Sequence, residues 1–434
     1  MSSKSKSLRG FVSSCEIIKP HAKPTLTPKL RFPEFRGAEG WKTTPLGELG
    51  AIVTGKTPST KEDDLWGGEI LFITPTDITE GEKYQHGTQR TVVETKGTKV
   101  LPPGSVVYTC IASIGKMALT VFPSVTNQQI NAVEPNGKTA KEFIYYSLAN
   151  LTPWIKSIPA TSTLPIINKT QFSKFIIPHP DDKREQQKIA ACLTTLDEVI
   201  AAQGQKIDAL KTHKKGLMQQ LFPREGETLP RLRFPEFQAA PEWEEDKLGS
   251  VCELYQPVTL TAADLTMTGE FLVYGANGII GSHDEYNHEE SEIAVTCRGA
   301  TCGEVTTTKP QSWITGNAMV VKPRSKKMRK DFIFYYFKNH GLKTVISGSA
   351  QPQITRAGFA PLPISFPIPA EQQRIATCLT TLDDLITAQN TKLSALKTHK
   401  RGLMQQLFPA PTEQLHTSEG HRSGLFPFPE EVEA

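Results

Sequence analysis

The chain repeats itself, and this internal duplication constrains its fold more than any other feature of the sequence. The segment LRFPEF occurs at residues 30–35 and again at residues 232–237, an offset of 202 residues. Each copy is followed by a tryptophan, Trp41 in the first and Trp243 in the second, and then by a Leu-Gly pair. Because 434 residues are too many for one hydrophobic core, we expect two related globular domains.

A second, longer match joins residues 185–223 to residues 371–409. Both segments begin with EQQ and end with GLMQQLFP, and they are nearly identical in between. Their offset of 186 residues is 16 smaller than that of the LRFPEF motifs, so the stretch between the motifs is longer in the first half. Those intervening stretches align poorly. The long segments are therefore duplicated, whereas the domains between them have diverged.

The duplicated segment has the pattern of a long helix. Apolar residues recur at alternating spacings of three and four, and no proline interrupts the first copy before Pro223. A heptad seam of more than four heptads predicts a coiled coil whose partner is the other copy. At 1.5 Å per residue each helix would be about 57 Å long, which suits a spacer. The seam consists of Ile189, Leu193, Leu196, Ile200, Ile207, Leu210, Leu217 and Leu221 in the first copy, and Ile375, Leu379, Leu382, Ile386, Leu393, Leu396, Leu403 and Leu407 in the second.

Four polar residues interrupt this seam. Gln203 and Gln389 occupy equivalent seam positions, as do Lys214 and Lys400. Polar seam residues commonly fix the register of a coiled coil at a cost in stability. For the lysines the alternative is that the side chains extend along the helix to reach water.

The domains between the long helices have a mixed α and β pattern. In the first domain two apolar stretches predict strands and one predicts a helix, and the second domain repeats that order. The two domains are therefore expected to share a fold despite their divergence. The stretches are residues 68–78, 104–112 and 141–151 in the first domain, and residues 270–281, 292–305 and 330–340 in the second.

The composition is that of an ordinary soluble protein, with 38% hydrophobic and 22% charged residues. No apolar run approaches the roughly 20 residues of a membrane helix, and no signal peptide is recognisable. Seven cysteines without a dense spacing pattern favour reduced thiols. We therefore expect a cytoplasmic protein. The net charge of +4 permits a polyanionic partner without requiring one.

One motif match suggests nucleotide binding and is rejected. Residues 50–57, GAIVTGKT, satisfy the G-x-x-x-x-G-K-[ST] phosphate-loop pattern. A genuine phosphate loop is followed by an amphipathic helix, whereas Pro58 and the polar run STKEDD follow here. The sequence therefore argues against nucleotide hydrolysis at this loop.

Other catalytic and metal signatures are weak or missing. His283, His288, Cys297 and Cys302 lack the tight ligand pairs of a structural zinc site, so a solvated turn is the better interpretation. The sequence contains no H-E-x-x-H, G-x-S-x-G or G-x-G-x-x-G motif. It also lacks the Asn-Pro-Pro or Asp-Pro-Pro tetrapeptide, with a following aromatic residue, of a base-methylating site.

The arrangement resembles the specificity subunit of type I restriction-modification enzymes, a prokaryotic DNA-binding protein. The resemblance covers nearly all of residues 30–409 and rests on the two divergent domains and on the EQQ start and GLMQQLFP end of each long segment. Short elements inside the domains also resemble the target-recognition domains of that family. They are residues 55–60, 66–68, 76–77, 113–116 and 127–129 in the first domain, and residues 274–278, 298–299 and 316–318 in the second.

The resemblance implies an α+β fold, in which two mixed α/β target-recognition domains are separated and closed by two long antiparallel coiled-coil helices with a pseudo-two-fold repeat. The first domain would read one half of a split, asymmetric DNA sequence and the second domain the other half. The expected segments are a disordered basic extension (1–29), the first target-recognition domain (30–180), the central helix (181–231), the second target-recognition domain (232–368), the C-terminal helix (369–409) and a flexible tail (410–434).

The resemblance also implies that this chain is not itself catalytic and holds no cofactor. Two modification subunits would use S-adenosylmethionine to methylate adenine, and restriction subunits would cleave double-stranded DNA with ATP and Mg²⁺. Two competing functions remain open. The main one is a scaffold that presents two binding domains on a coiled coil without touching DNA, and a weaker one is a DNA-cleaving or DNA-methylating enzyme.

Candidate DNA-contacting residues are polar side chains expected on loops, because base edges are read by such groups while Lys and Arg hold phosphates. For each of them the alternative is a turn or capping role, which Asn and Thr often serve. The candidates are Thr74, Thr76, Lys116, Asn127 and Gln128 in the first domain, and Asn277, His283, Arg298, Thr315 and Asn317 in the second.

Overall fold

The computed structural model describes residues 26–95, 97–157, 166–266, 268–276, 278–348 and 351–409. Most of the predicted N-terminal extension and all of the predicted tail lie outside these ranges. The chain divides into two units, the first containing residues 1–200 and 395–434 and the second residues 201–394. Each unit thus combines one of the diverged domains with parts of both long helices.

The described residues of the first unit form three sheets and their helices. The largest sheet has the strand order β2-β9-β6-β7-β4, the next has the order β5-β3-β8, and β1 pairs with β10. Its strands are β1 (Lys42–Pro45), β2 (Gly50–Thr54), β3 (Trp66–Ile73), β4 (Tyr84–Gln85), β5 (Arg90–Val92), β6 (Val106–Thr109), β7 (Met117–Thr120), β8 (Ser124–Thr126), β9 (Ile130–Pro135) and β10 (Ile176–His179), and its helices are α1 (Leu46–Leu49), α2 (Lys141–Ser157) and α3 (Lys169–Ser173).

Within its described residues, the second unit repeats this topology without an equivalent of strand β4. Its sheets have the strand orders β12-β18-β15-β16, β14-β13-β17 and β11-β19. In both units the second sheet contains a parallel pair, β3 with β8 and β13 with β17. The prediction that the two domains share a fold is confirmed. The strands are β11 (Glu244–Lys247), β12 (Cys252–Tyr255), β13 (Phe271–Gly275), β14 (Gly278–His283), β15 (Ile293–Thr296), β16 (Val305–Thr307), β17 (Trp313–Ile314), β18 (Ala318–Pro323) and β19 (Pro363–Phe366), and the helices are α5 (Leu248–Val251), α6 (Lys330–His340) and α7 (Arg356–Phe359).

Two long helices complete both units. Helix α4 (Lys183–Leu221) and helix α8 (Pro369–Leu407) each contain 39 residues, and the heptad seam of both is buried or half-buried along its length. Each unit buries the start of one long helix and the end of the other. The first core includes Leu193 of α4 and Leu407 of α8, and the second includes Leu221 and Leu379. The predicted long helices and their apolar seam are confirmed.

The polar seam residues pair across the two helices. In the second unit the Gln203 amide donates to Gln389 Oε1 at 2.8 Å, and Lys214 contacts Asp383 at 2.5 Å. Because the partner number falls as the α4 number rises, the helices run antiparallel. In the first unit Lys400 contacts Asp197 at 2.5 Å. The lysines therefore bind carboxylates of the opposite helix rather than extending into water.

None of the described helices combines the length and the apolar character that a membrane crossing requires. Within the same residues, no group of three His, Cys, Asp or Glu side chains gathers in the manner of a metal site. His288, one of the residues considered for zinc, is buried, and its imidazole Nε2 lies 3.0 Å from the Tyr255 hydroxyl. Burial lowers the pKa of this imidazole, which favours its neutral form.

Candidate nucleic-acid interface

Three loops of the first unit lie together at the ends of its strands. They are the turn after β3 (residues 74–77), the β6–β7 connection (110–116) and the β8–β9 connection (127–129), and we call them the first reading surface. Hydrogen bonds join all three. The Asn127 N–H donates to Ile73 O at 3.2 Å, the Cys110 N–H donates to Gln129 O at 2.8 Å, and Lys116 Nζ lies 3.5 Å from Pro75 O.

The second unit builds a second reading surface from the topologically equivalent loops. These are the β13–β14 turn (around residue 276), the β15–β16 connection (297–304) and the β17–β18 connection (315–317). The Thr315 N–H donates to Tyr274 O at 2.9 Å, the Cys297 N–H donates to Asn317 O at 2.8 Å, and the Thr301 hydroxyl donates to Ala276 O at 2.7 Å. The candidate residues chosen from the sequence therefore fall mainly on equivalent loops.

All five candidates of the first domain lie on the first reading surface, with different freedom to contact a ligand. Thr76 and Gln128 are exposed, and Thr74 and Lys116 are half-buried. Asn127 is only 9% exposed. Its amide donates to Gln129 Oε1 at 3.1 Å, and its Oδ1 accepts the N–H of the same residue at 3.1 Å. Asn127 thus shapes the loop that presents Gln128.

The candidates of the second domain are more scattered. Arg298 is exposed and Asn317 half-buried on the second reading surface, while Asn277 lies outside the described residues. His283 ends β14, where its Nδ1 accepts the Glu285 N–H at 3.0 Å. Thr315 is 1% exposed, and among the described residues no partner faces its hydroxyl. Such burial argues against direct base contact by Thr315, whose backbone instead ties two loops together.

The segment that matches the phosphate-loop pattern has a different role. Residues 50–54 form β2, which pairs antiparallel with β9, and a loop rather than a helix follows. A Cβ atom at Gly55 would lie 2.1 Å from Thr126 O and 2.4 Å from Asn127 O. Glycine is therefore needed because this loop passes directly over the β8–β9 connection. The adjacent Thr57 hydroxyl donates to Gln128 Oε1 at 2.7 Å.

Sequence reasoning missed Arg90, which lies in the same domain. Its guanidinium carbon lies 3.4 Å from the centre of the Trp66 ring, an arrangement that orients the planar group. The Trp66 indole N–H is anchored on Ser59 O at 3.0 Å. Arg90 is exposed. The stacking brings together residues 24 positions apart, so no local spacing signals it.

Lys83 was also missed, and it connects the segment before strand β4 to helix α4. Its Nζ donates to the Thr194 hydroxyl at 2.6 Å, and its side chain is buried. Burial lowers the pKa of this ammonium group. Two residues later the Gln85 amide donates to Asp77 O at 3.2 Å, and Asp77 in turn accepts the Thr74 N–H at 2.9 Å. The turn at 74–77 is therefore linked to helix α4 through the segment that contains Lys83 and Gln85.

Comparison with protein families gives a match along most of the chain. A family model described as the type I restriction modification DNA specificity domain matches residues 38–212 and 241–398. The EcoprrI specificity subunit of Escherichia coli is 24% identical over 366 residues, which span 81% of this chain and 90% of that protein. The MjaIX specificity subunit of Methanocaldococcus jannaschii is 31% identical over 167 residues, 37% of this chain and 38% of that protein.

Solved structures share the fold. The S subunit of a type I restriction-modification system from M. genitalium superposes with a TM-score of 0.58 at 16% identity, covering 89% of this chain and all of that one. A chain from a structural study of complex assembly and conformational transition in the type I system gives a TM-score of 0.56 at 18% identity, with coverage of 86% and 98%. At these identities the likeness concerns the fold.

Proposed function

This chain belongs to the type I restriction-modification DNA specificity family, and we propose that its two reading surfaces each recognise one half of a bipartite, asymmetric DNA sequence. The observation that carries this assignment is the repetition of one topology with different side chains on equivalent loops. Equal scaffolds would place the two surfaces in equivalent ways on DNA. Unlike loop residues would then make the two half-sites different.

The side chains on the reading surfaces, together with Arg90 on strand β5, suit different parts of the DNA. Thr76 and Gln128 are exposed groups that can donate to and accept from base edges, as groove recognition requires. Arg90 and Arg298 carry exposed guanidinium groups that can bind guanine or phosphate with two parallel N–H donors. Lys116 is half-buried and carries a cationic group suited to a phosphate.

This chain and its partner subunits would have different tasks. The chain would contribute no catalytic residue and hold no cofactor. Two modification subunits would bring S-adenosylmethionine for adenine methylation, and restriction subunits would bring ATP and Mg²⁺ for cleavage of double-stranded DNA in the cytoplasm. This is supported by the names of the relatives, which are specificity subunits.

Exchanging residues 41–180 for the matching domain of a related protein tests this function. We expect the exchange to change one half of the methylated sequence and leave the other half unaltered, because each reading surface is built within one unit. Methylome sequencing of cells that carry the exchanged chain measures both halves and their gap. A change in both halves would contradict independent reading.

A second assay separates DNA recognition from a scaffold role. Gel shifts with the purified chain and modification subunits at low salt should retain DNA carrying the methylated sequence. A matched DNA with one scrambled half-site is the control and should bind more weakly. Loss of retention for every DNA, with assembly intact, would favour the scaffold.

The partner surfaces are expected on the outward faces of the long helices. Lys206 of α4 and Lys392 of α8 occupy equivalent, exposed positions, so a duplicated segment offers two equivalent surfaces to two copies of one partner. We expect Lys206→Glu combined with Lys392→Glu to weaken assembly with modification subunits. Native mass spectrometry measures the stoichiometry. A full complement of partners after these and further outward reversals would contradict this placement.

A further inference from the structure

The same polar cluster occurs once in each unit, where a domain helix meets both long helices. In the second unit, Lys214 of α4 places its Nζ 2.5 and 2.6 Å from the two carboxylate oxygens of Asp383 on α8. Tyr335 of α6 donates its hydroxyl to Asp383 Oδ2 at 2.8 Å. One carboxylate therefore joins three helices, two from the coiled coil and one from the domain.

The first unit contains the equivalent set with the roles of the long helices exchanged. Lys400 of α8 contacts Asp197 of α4 at 2.5 Å, and Tyr146 of α2 donates to Asp197 Oδ2 at 2.6 Å. A threonine completes each set, with Thr194 Oγ1 3.3 Å from the Tyr146 hydroxyl and Thr380 Oγ1 3.1 Å from that of Tyr335. The repetition extends into α2 and α6, which belong to the diverged domains.

The surroundings of each cluster favour the same roles, with the lysine and the tyrosine as donors and the aspartate as acceptor. The side chains of Lys214 and Lys400 are 19% and 24% exposed, and each ammonium group lies within 6 Å of the tyrosine ring of its cluster, at 5.2 and 5.5 Å. Burial raises the pKa of Tyr146 and Tyr335. Both phenols therefore stay protonated and remain donors to the carboxylate.

The apolar seam alone does not define how far one helix is shifted along the other. A slip of seven residues along α8 would still set Leu and Ile against Leu and Ile at most positions. It would, however, place Ala376 or Asn390 where Asp383 now meets Lys214. A heptad slip therefore loses the ion pair while keeping most apolar contacts, and polar seam residues specify register in this way.

We propose that Asp197 and Asp383 are positioning residues. Each carboxylate sets the antiparallel register of the long helices and also the position of the adjoining domain on them. The contacts with Tyr146 and Tyr335 fix the position of each domain, and the contacts with Lys400 and Lys214 fix the register. The consequence for the gap between the half-sites rests on the proposed function.

The test uses the full chain in its complex with modification subunits. The substrates carry the methylated half-sites at the natural gap, or at a gap one base pair shorter or longer. The preference for the natural gap is the ratio of the methylation rate at that gap to the rate at the altered gaps. In the variant with Asp197→Asn and Asp383→Asn we expect this preference to fall about tenfold, because two charge-assisted contacts per unit are weakened. Asp384→Asn, an exposed neighbour on α8, is the matched control and should keep the wild-type preference.

A charge exchange separates the two roles. Lys214→Asp with Asp383→Lys, together with Lys400→Asp and Asp197→Lys, restores both ion pairs but removes the acceptor of each tyrosine. We expect this variant to recover part of the gap preference. Tyr146→Phe with Tyr335→Phe removes only the hydroxyl contacts and is expected to lower the preference about threefold. This milder pair also serves if the asparagine variant does not fold.

A measurement without DNA keeps the proposal testable if the proposed function fails. Thermal unfolding of the isolated chain is compared for Lys214→Met, Asp383→Asn and the double variant. We expect the melting temperature of the double variant to fall by less than the two single losses together, which reports coupling between the two side chains. A folded asparagine variant with wild-type gap preference, or additive melting losses, would overturn the proposal.

Discussion

Replacing Glu185 by alanine is expected to lower the free energy of unfolding of the first unit by about 3–5 kcal/mol, because it removes the carboxylate from a largely buried ion pair. Within the described part of the chain, the Arg31 guanidinium would keep only the carbonyl oxygens of Ala38 and Glu39 as acceptors. Arg31 binds the Glu185 carboxylate with two parallel contacts of 2.8 and 2.7 Å, and the two side chains are 8% and 1% exposed. The Trp41 indole N–H also donates to this carboxylate at 3.3 Å.

The second unit provides the equivalent variant. Arg233 binds Glu371 with the same two contacts, 2.8 and 2.7 Å, and Glu371→Ala should destabilise that unit similarly. Among the described residues, however, the Trp243 indole N–H has no acceptor, so Glu371 has one fewer donor than Glu185. We therefore expect the Glu185 variant to lose somewhat more stability.

Hydrogen exchange with mass spectrometry in increasing urea measures the two units separately in the full chain. Each variant should lose protection in its own unit first. Asp181→Ala, which breaks an exposed pair with Lys42, is the control and should change little. Equal protection in Glu185→Ala and the parent chain would show that the buried pair does not stabilise the fold.

Lengthening both long helices by four residues is expected to widen the recognised gap by about one to two base pairs. Four residues add about 6 Å at 1.5 Å per residue, and DNA rises about 3.4 Å per base pair. The insertions are placed after Ala202 and after Ala388, which are equivalent positions in α4 and α8. Four residues are close to one helical turn, so the apolar seam keeps its direction.

Both helices must be extended because of the polar clusters. On α4 the insertion lies between Asp197 and Lys214, and on α8 it lies between Asp383 and Lys400. A paired insertion lengthens both intervals equally, so the two ion pairs can form together. Insertion after Ala202 alone lengthens one interval only, which forces one cluster to break, and we expect weaker assembly.

Methylome sequencing decides this prediction, since it reports the half-sites and the gap together. The half-sites should stay the same while the gap grows. A paired insertion of two residues is the contrasting control, because it rotates the seam by more than half a turn and should abolish assembly. An unchanged gap in an active four-residue variant would show that the long helices do not set the spacing.

The candidate site could be predicted from the sequence only in outline. Thr76, Gln128 and Arg298 were chosen as polar loop residues and are exposed on the reading surfaces. Thr315 has the same residue type and loop context, yet its side chain is buried. The difference arises because the Thr315 N–H donates to Tyr274 O, and this contact between residues 41 positions apart is not encoded by any local pattern.

The EQQ motifs illustrate the same limit. Their repetition was visible in the sequence, but their role was not. Glu185 holds Arg31 of the LRFPEF motif, and the next residue, Gln186, accepts the Ala140 N–H at 2.9 Å and donates to Pro180 O at 2.9 Å. Arg31 and Ala140 lie 154 and 46 positions from their partners, so the motif became interpretable only when the fold brought these parts together.

The sequence by itself determined the duplication, the two long helices and their apolar seam, because helical periodicity and self-similarity are local properties of the chain. It also determined that the two domains would share a fold. Tertiary structure alone decided which loops form each reading surface, that Lys83 reaches Thr194 on α4, and that Lys214 binds Asp383. The last two contacts join residues 111 and 169 positions apart. All of these contacts depend on strand order and helix register rather than on neighbouring residues.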